Sequence, residues 1–205
     1  MVKKRKDEQT QTRILEAARK IFVTRGMAGA RMQEIADEAG INKALLHYYF
    51  RDKDQLFETV FAEQAQKFFP RLNMIFESDL PLFEKIEKFV QEYIDELTVS
   101  PYLPWFVMNE INRDPDRFLA QTWTKDRLPN PAKLLMQIEA EVKRGAIRPI
   151  QPINLLMNMV SMVVFPYIGR PMFERHLGMP EQRFMQLMEA RKKEIPQFII
   201  AAIRN

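Results

Sequence analysis

Lys43, Ala44, His47 and Tyr48 recur at helical spacing and share one face of a short segment. Their chemistry suits a nucleic-acid duplex. Lys43 is a flexible point charge for a phosphate or a guanine edge, and Ala44 permits close approach to a thymine methyl. His47 could donate to a phosphate, more tightly if protonated on approach, and Tyr48 offers a phenolic donor. No catalytic constellation competes with this reading. His47 and His176 are the only histidines, cysteine is absent, and no His-Glu-x-x-His run occurs. Six glycines in 205 residues leave no Gly-rich phosphate loop. The expectation is a protein that is not an enzyme and holds neither metal nor cofactor. The absence of cysteine also excludes disulfides and fits a reducing compartment.

Such a face needs a short helix held firmly by its neighbours. Ile35, Ala36 and Ala39 line one side of a preceding helix, and Ala36 is small where another helix must cross closely. Gly40 follows the last periodic residue, where a left-handed backbone ends a helix without Cβ strain. Asn42 can accept from the free N–H groups of the next helix, and Leu46, Tyr49 and Phe50 form that helix's buried stripe. The pattern spells a helix-turn-helix, although an ordinary helical hairpin with an idle outer face would look the same. Charge separates the two. Residues 1–55 hold twelve Lys/Arg against eight Asp/Glu, and the remaining chain holds nineteen of each. The whole net charge of +4 therefore sits on the segment that would meet phosphates. Lys3-Lys4-Arg5-Lys6 precedes any helical periodicity and reads as a mobile basic arm, with the first helix over about 8–25.

The flanks carry a more specific signal. Thr12-Arg13-Ile14-Leu15-Glu16-Ala17-Ala18, Ile21-Phe22, Gly26, Ile35 through Lys43, Phe50, and Lys53 with Leu56-Phe57 together resemble the N-terminal domain of the TetR family of regulators. The resemblance covers about residues 10–60. It implies DNA contacts from Asn42, Lys43, Ala44, His47 and Tyr48 and a phosphate contact from Lys53. The family pattern usually has Thr or Ser at positions 30 and 31, where a hydroxyl caps the second helix and reaches a phosphate. Arg31 departs from it: an arginine can hold a phosphate, but the cap is lost.

The expected fold is all-α, with about nine helices: a three-helix helix-turn-helix domain over 1–52 with a basic arm, and a larger helical domain over 53–205. Asp52-Lys53-Asp54-Gln55 has the capping-box arrangement and opens a long fourth helix over about 53–76. Residues 152–168 are apolar nearly all round, yet too short and too interrupted by Asn154, Asn158, Ser161 and Pro166 for a membrane span. A helix like this must be covered on more than one side. The last helix, over about 180–203, carries Phe184, Leu187, Met188, Arg191, Ile195, Phe198, Ile199 and Ala202 as a seam, with Pro196 expected to kink it. The family resemblance implies that these two helices pair with a second copy. It also implies a cavity for a hydrophobic small-molecule effector, and Phe61, Phe89, Tyr93, Trp105, Met108, Asn109, Trp123 and Met157 are the candidate lining. Solid core is the competing reading for each. With no apolar segment behind the basic start, the expectation is no secretory signal and a cytoplasmic location. Function is expected to be a homodimeric, ligand-released repressor on a palindromic duplex, with a DNA-bound scaffold as the alternative.

Overall fold

A computed structural model describes the backbone of residues 2–113, 116 and 129–205, and side chains from residue 7 onward except at 106, 109, 110 and 113. The described residues form ten helices: α1 (Val2–Gly29), α2 (Met32–Glu38), α3 (Lys43–Tyr49), α4 (Lys53–Glu77), α5 (Leu82–Val99), α6 (Leu103–Arg113), α7 (Ala132–Lys143), α8 (Pro152–Ile168), α9 (Arg170–Arg175) and α10 (Glu181–Ile203). They contain no strand, only an isolated antiparallel bridge between Ile147 and Arg204. None is long and apolar enough to cross a membrane.

Helix α1 departs from expectation at both ends. It begins at Val2, so the basic run continues the helix backbone rather than preceding it as a mobile arm. It bends at Gly26, whose φ of 67° and ψ of 169° leave helical space. The bend falls just past the expected helix end near residue 25, because glycine alone takes this geometry without a Cβ clash.

The chain divides into two compact units, Met1–Ala65 and Gln66–Asn205. This division falls inside α4, later than the boundary at 52/53 read from the sequence. The reason is aromatic. Phe57 packs edge-on to Phe22 with ring centroids 5.1 Å apart and lies 4.4 Å from Phe61. Leu56, Val60 and Phe61 are buried with Ile14, Ala18 and Phe22, so the first half of α4 completes the core of the first unit.

In the second unit α5 lies against α7, α8 and α10. Ile86, Phe89, Val90, Ile94 and Leu97 of α5 are buried with Leu155, Met159 and Val163 of α8 and with Phe184, Met188, Ile195 and Ile199 of α10. The seam expected on α10 therefore splits. Phe184, Met188, Ile195 and Ile199 are internal core, whereas Phe198 is 65% exposed. Helix α10 continues past Pro196 to Ile203.

Two lysines close the C-terminal end of α4. Lys85, fully buried, donates from Nζ to the Phe76 carbonyl at 2.9 Å, and Lys133 donates to the Glu77 carbonyl at 2.6 Å. Cations there meet both the unpaired carbonyls and the negative end of the helix dipole. Burial lowers the Lys85 pKa, since the charged form loses its hydration. Arg71 bridges α4 to α5, reaching Glu92 at 3.0 Å and the buried Glu96 at closer range.

Replacing Arg71 with Met removes its ion pairs to Glu92 and to the buried Glu96. Urea denaturation is expected to show a loss of about 2 kcal/mol, below the usual figure for a fully buried pair because Arg71 is half-exposed. Adding Glu96→Gln in the same chain should restore most of it.

Candidate nucleic-acid interface

The turn between α2 and α3 is built from backbone hydrogen bonds. Ile41 N donates to Ala36 O and Gly40 N to Asp37 O, each at 3.0 Å, and Gly40 has a φ of 63°. This crossed pair is a Schellman closure, which requires a left-handed residue at the helix end. Arg13 of α1 donates to the Ala39 carbonyl and, at 3.3 Å, to the Gly40 carbonyl. A Cβ on Gly40 would stand 2.9 Å from the Arg13 guanidinium, so the site excludes side chains on two grounds.

Past the turn, Asn42 caps α3 by accepting from Leu45 N at 2.8 Å, as its residue type predicts. Leu46 is fully buried beneath α3. Tyr49 donates to the Asp7 carboxylate at 2.9 Å, which ties α3 back to α1; burial and the Asp7 contact raise the Tyr49 pKa. With those residues turned inward, Lys43, Ala44, His47 and Tyr48 are all exposed, Tyr48 to 80%. His47 Nδ1 sits 3.1 Å from the Arg51 carbonyl just beyond the helix.

Arg31 holds the N-cap position of α2 with an extended backbone and no side-chain cap bond, and its side chain is exposed. At the start of α4, Asp52 accepts from Gln55 N at 2.8 Å and Gln55 accepts from Arg51 N at 2.9 Å, so two backbone donors are satisfied there. Lys53 donates from Nζ to the Ala30 carbonyl at 3.2 Å, so this ammonium joins the start of α4 to the end of α1. Arg31, Asn42, Lys43, Ala44, His47, Tyr48 and Lys53 thus all belong to the first unit. The Arg13 clamp on the turn was not read from the sequence, because a long-range contact between a side chain and a carbonyl leaves no periodic trace.

Of the residues expected around an effector, Phe89 and Tyr93 meet in the core of the second unit. Phe61 is core of the first unit. Phe89 stacks on Phe76 at 5.6 Å and meets Tyr93 edge-on at 5.4 Å, and burial pushes the Tyr93 hydroxyl up to about 12. Trp105, Met108 and Met157 are exposed. The Asn109 side chain and Trp123 lie outside the described residues. A cavity of about 340 Å³ opens among Ser78, Asp79, Lys85, Lys133, Met136 and Gln137. Among the described residues no His/Asp/Glu cluster has the arrangement to hold a metal ion.

A short second helix, a Schellman turn and an exposed, capped third helix define a helix-turn-helix DNA-binding domain. Residues 14–60 match the family model described as bacterial regulatory proteins, tetR family. It is 46% identical over 56 residues to an HTH-type transcriptional repressor of Streptomyces coelicolor, covering 27% of this chain and 29% of that one. It is 30% identical over 108 residues to the HTH-type transcriptional regulator PksA of Bacillus subtilis, covering 52% and 53%. The chain thus spans about half or less of the length of these curated relatives, which are named as regulators and not as enzymes. Over nearly the whole chain the fold is that of the ketosteroid transcriptional regulator KstR2 of Mycobacterium tuberculosis, with a TM-score of 0.65 at 16% identity and 95% of each chain covered. HlyIIR, a hemolysin II transcriptional regulator, matches with a TM-score of 0.54 at 21% identity, covering 97% of this chain and 98% of that one.

Gly40→Ala is expected to destabilise the protein by about 1 to 2 kcal/mol, from left-handed strain on a residue with a Cβ. The Arg13 clamp would be displaced as well. Thermal unfolding followed by circular dichroism checks this; an unchanged midpoint would remove the turn from its structural role.

Proposed function

We propose that this chain is a transcriptional regulator, acting in the cytoplasm as a homodimeric repressor on a palindromic operator. The single observation that carries the reading is the α3 face: Lys43, Ala44, His47 and Tyr48 exposed together on a capped helix whose other side is fixed to α1 and α2. Presented twice about a two-fold axis, this face would read half-sites about one turn of the duplex apart, or a multiple of it. Arg31 and Lys53 flank it as phosphate contacts, while Asn42 keeps its amide nitrogen for the backbone because its oxygen holds the cap.

Dimerisation is supported by the outer sides of α8 and α10. Ile153, Met157 and Phe165 on α8 and Phe198 on α10 are all at least half exposed. Large apolar side chains at successive turns of neighbouring helices favour a covering surface, and a second copy supplies an identical one. Met157 belongs to this surface in the proposed dimer rather than to an effector cavity.

Release by a hydrophobic effector is part of the reading carried over from the family. It would require the effector to bind better to the conformer whose recognition-helix separation misfits the duplex. A second reading, a DNA-bound scaffold without an effector, is favoured by one observation. Of the candidate lining residues, Trp105, Met108 and Met157 are exposed.

Selection of duplexes from a randomised pool by the full chain tests the DNA reading. Affinity should fall steeply with salt, with a log–log slope near 0.9 per phosphate neutralised. Lys53→Ala should weaken all sequences about equally and reduce that slope by about one. A change of base preference alone would remove Lys53 from the phosphate contacts. Sedimentation of Phe198→Glu should show a monomer where the parent chain is a dimer, with operator affinity falling in parallel; a dimer that persists would displace the proposed interface.

A further inference from the structure

His47 is the one residue on the α3 face whose hydrogen-bonding role is set by the fold as well as by its type. Its Nδ1 lies 3.1 Å from the Arg51 carbonyl, and a peptide carbonyl can only accept. Nδ1 is therefore the nitrogen that carries the proton. A neutral imidazole has one proton, so Nε2 on the far side of the ring presents a bare lone pair to the exposed face. A phosphate oxygen also only accepts, and it would repel that lone pair. The donors that a major groove offers are the exocyclic amines, N6 of adenine and N4 of cytosine. Guanine and thymine present acceptors at the corresponding edge, O6 and N7 or O4. Lys43, one helical turn earlier on the same face, is a pure donor and suits those acceptors or a phosphate.

We propose that His47 is a specificity-determining acceptor: with Nδ1 committed to the Arg51 carbonyl, Nε2 selects an amino base, adenine or cytosine, over a keto base at one position of each half-site. The assignment rests on the regulator reading above and adds to it the chemical class of the base. It also replaces the phosphate contact expected from residue type, since Nδ1 is turned to the Arg51 carbonyl.

The test uses the full-length chain in duplex selection, with His47→Ala, His47→Gln and His47→Lys beside the parent. The parent should enrich adenine or cytosine on one strand at a single position per half-site, by about tenfold over guanine or thymine. His47→Ala should flatten that position and leave the others unchanged. His47→Gln keeps an acceptor and should retain an amino base, adenine above all. His47→Lys, a donor only, should turn the preference toward guanine. Long-range proton–nitrogen NMR of the free protein, in the binding buffer, should show Nδ1 protonated and Nε2 bare. This arm holds even if a variant fails to fold. Base preferences unmoved by all three substitutions, or a ring protonated at Nε2, would overturn the assignment while leaving the regulator reading intact. No salt-sensitive binding to any duplex by the parent chain would overturn both.

Discussion

Every α-helix ends with carbonyls that have no partner inside the helix, and a buried end without partners is costly. In this chain cations from elsewhere meet several of them. Arg13 closes α2 at Ala39 and Gly40, Lys53 reaches Ala30 at the end of α1, and Lys85 and Lys133 close α4 at Phe76 and Glu77. With only six glycines, the chain has few left-handed positions at which to end a helix on its own backbone. Each long-range cation both ends a helix and pins it to another. The orientation of α3 depends on two of these contacts, the Arg13 clamp before it and the Lys53 tie after it.

The same economy shapes the first unit. Its helices α2 and α3 have seven residues each, too short to be stable alone, so tertiary packing must hold them. Phe22, Phe57 and Phe61 provide that packing, and two of the three come from α4. An exposed α3 face needs such a frame to hold it in place. Tyr48 at 80% exposure contributes nothing to the core, and Tyr49 beside it anchors the helix through Asp7.

In the second unit α8 and α10 each carry both buried and exposed apolar residues. Leu155, Met159 and Val163 on α8 face inward, whereas Ile153, Met157 and Phe165 face outward. On α10 the inward set is Phe184, Met188, Ile195 and Ile199, with Phe198 outward. A periodic seam read from sequence merges the two sets, because adjacent stripes at three and four spacing overlap. Solvent exposure separates them.

By itself the sequence determined the all-α class, the turn at Gly40, the Asn42 cap, the Asp52-Gln55 closure and the outward set Lys43, Ala44, His47 and Tyr48. These follow from local chemistry: helical period, left-handed tolerance and the reach of a side chain to its own backbone. The tertiary structure alone decided where the two units divide, which of α10's apolar residues are core, where Phe61, Trp105, Met108 and Met157 lie, and that Lys85 is buried. It also decided which nitrogen of His47 faces outward. Each of these depends on contacts between groups distant in the chain, and burial or a hydrogen bond at long range has no signature in the order of residues.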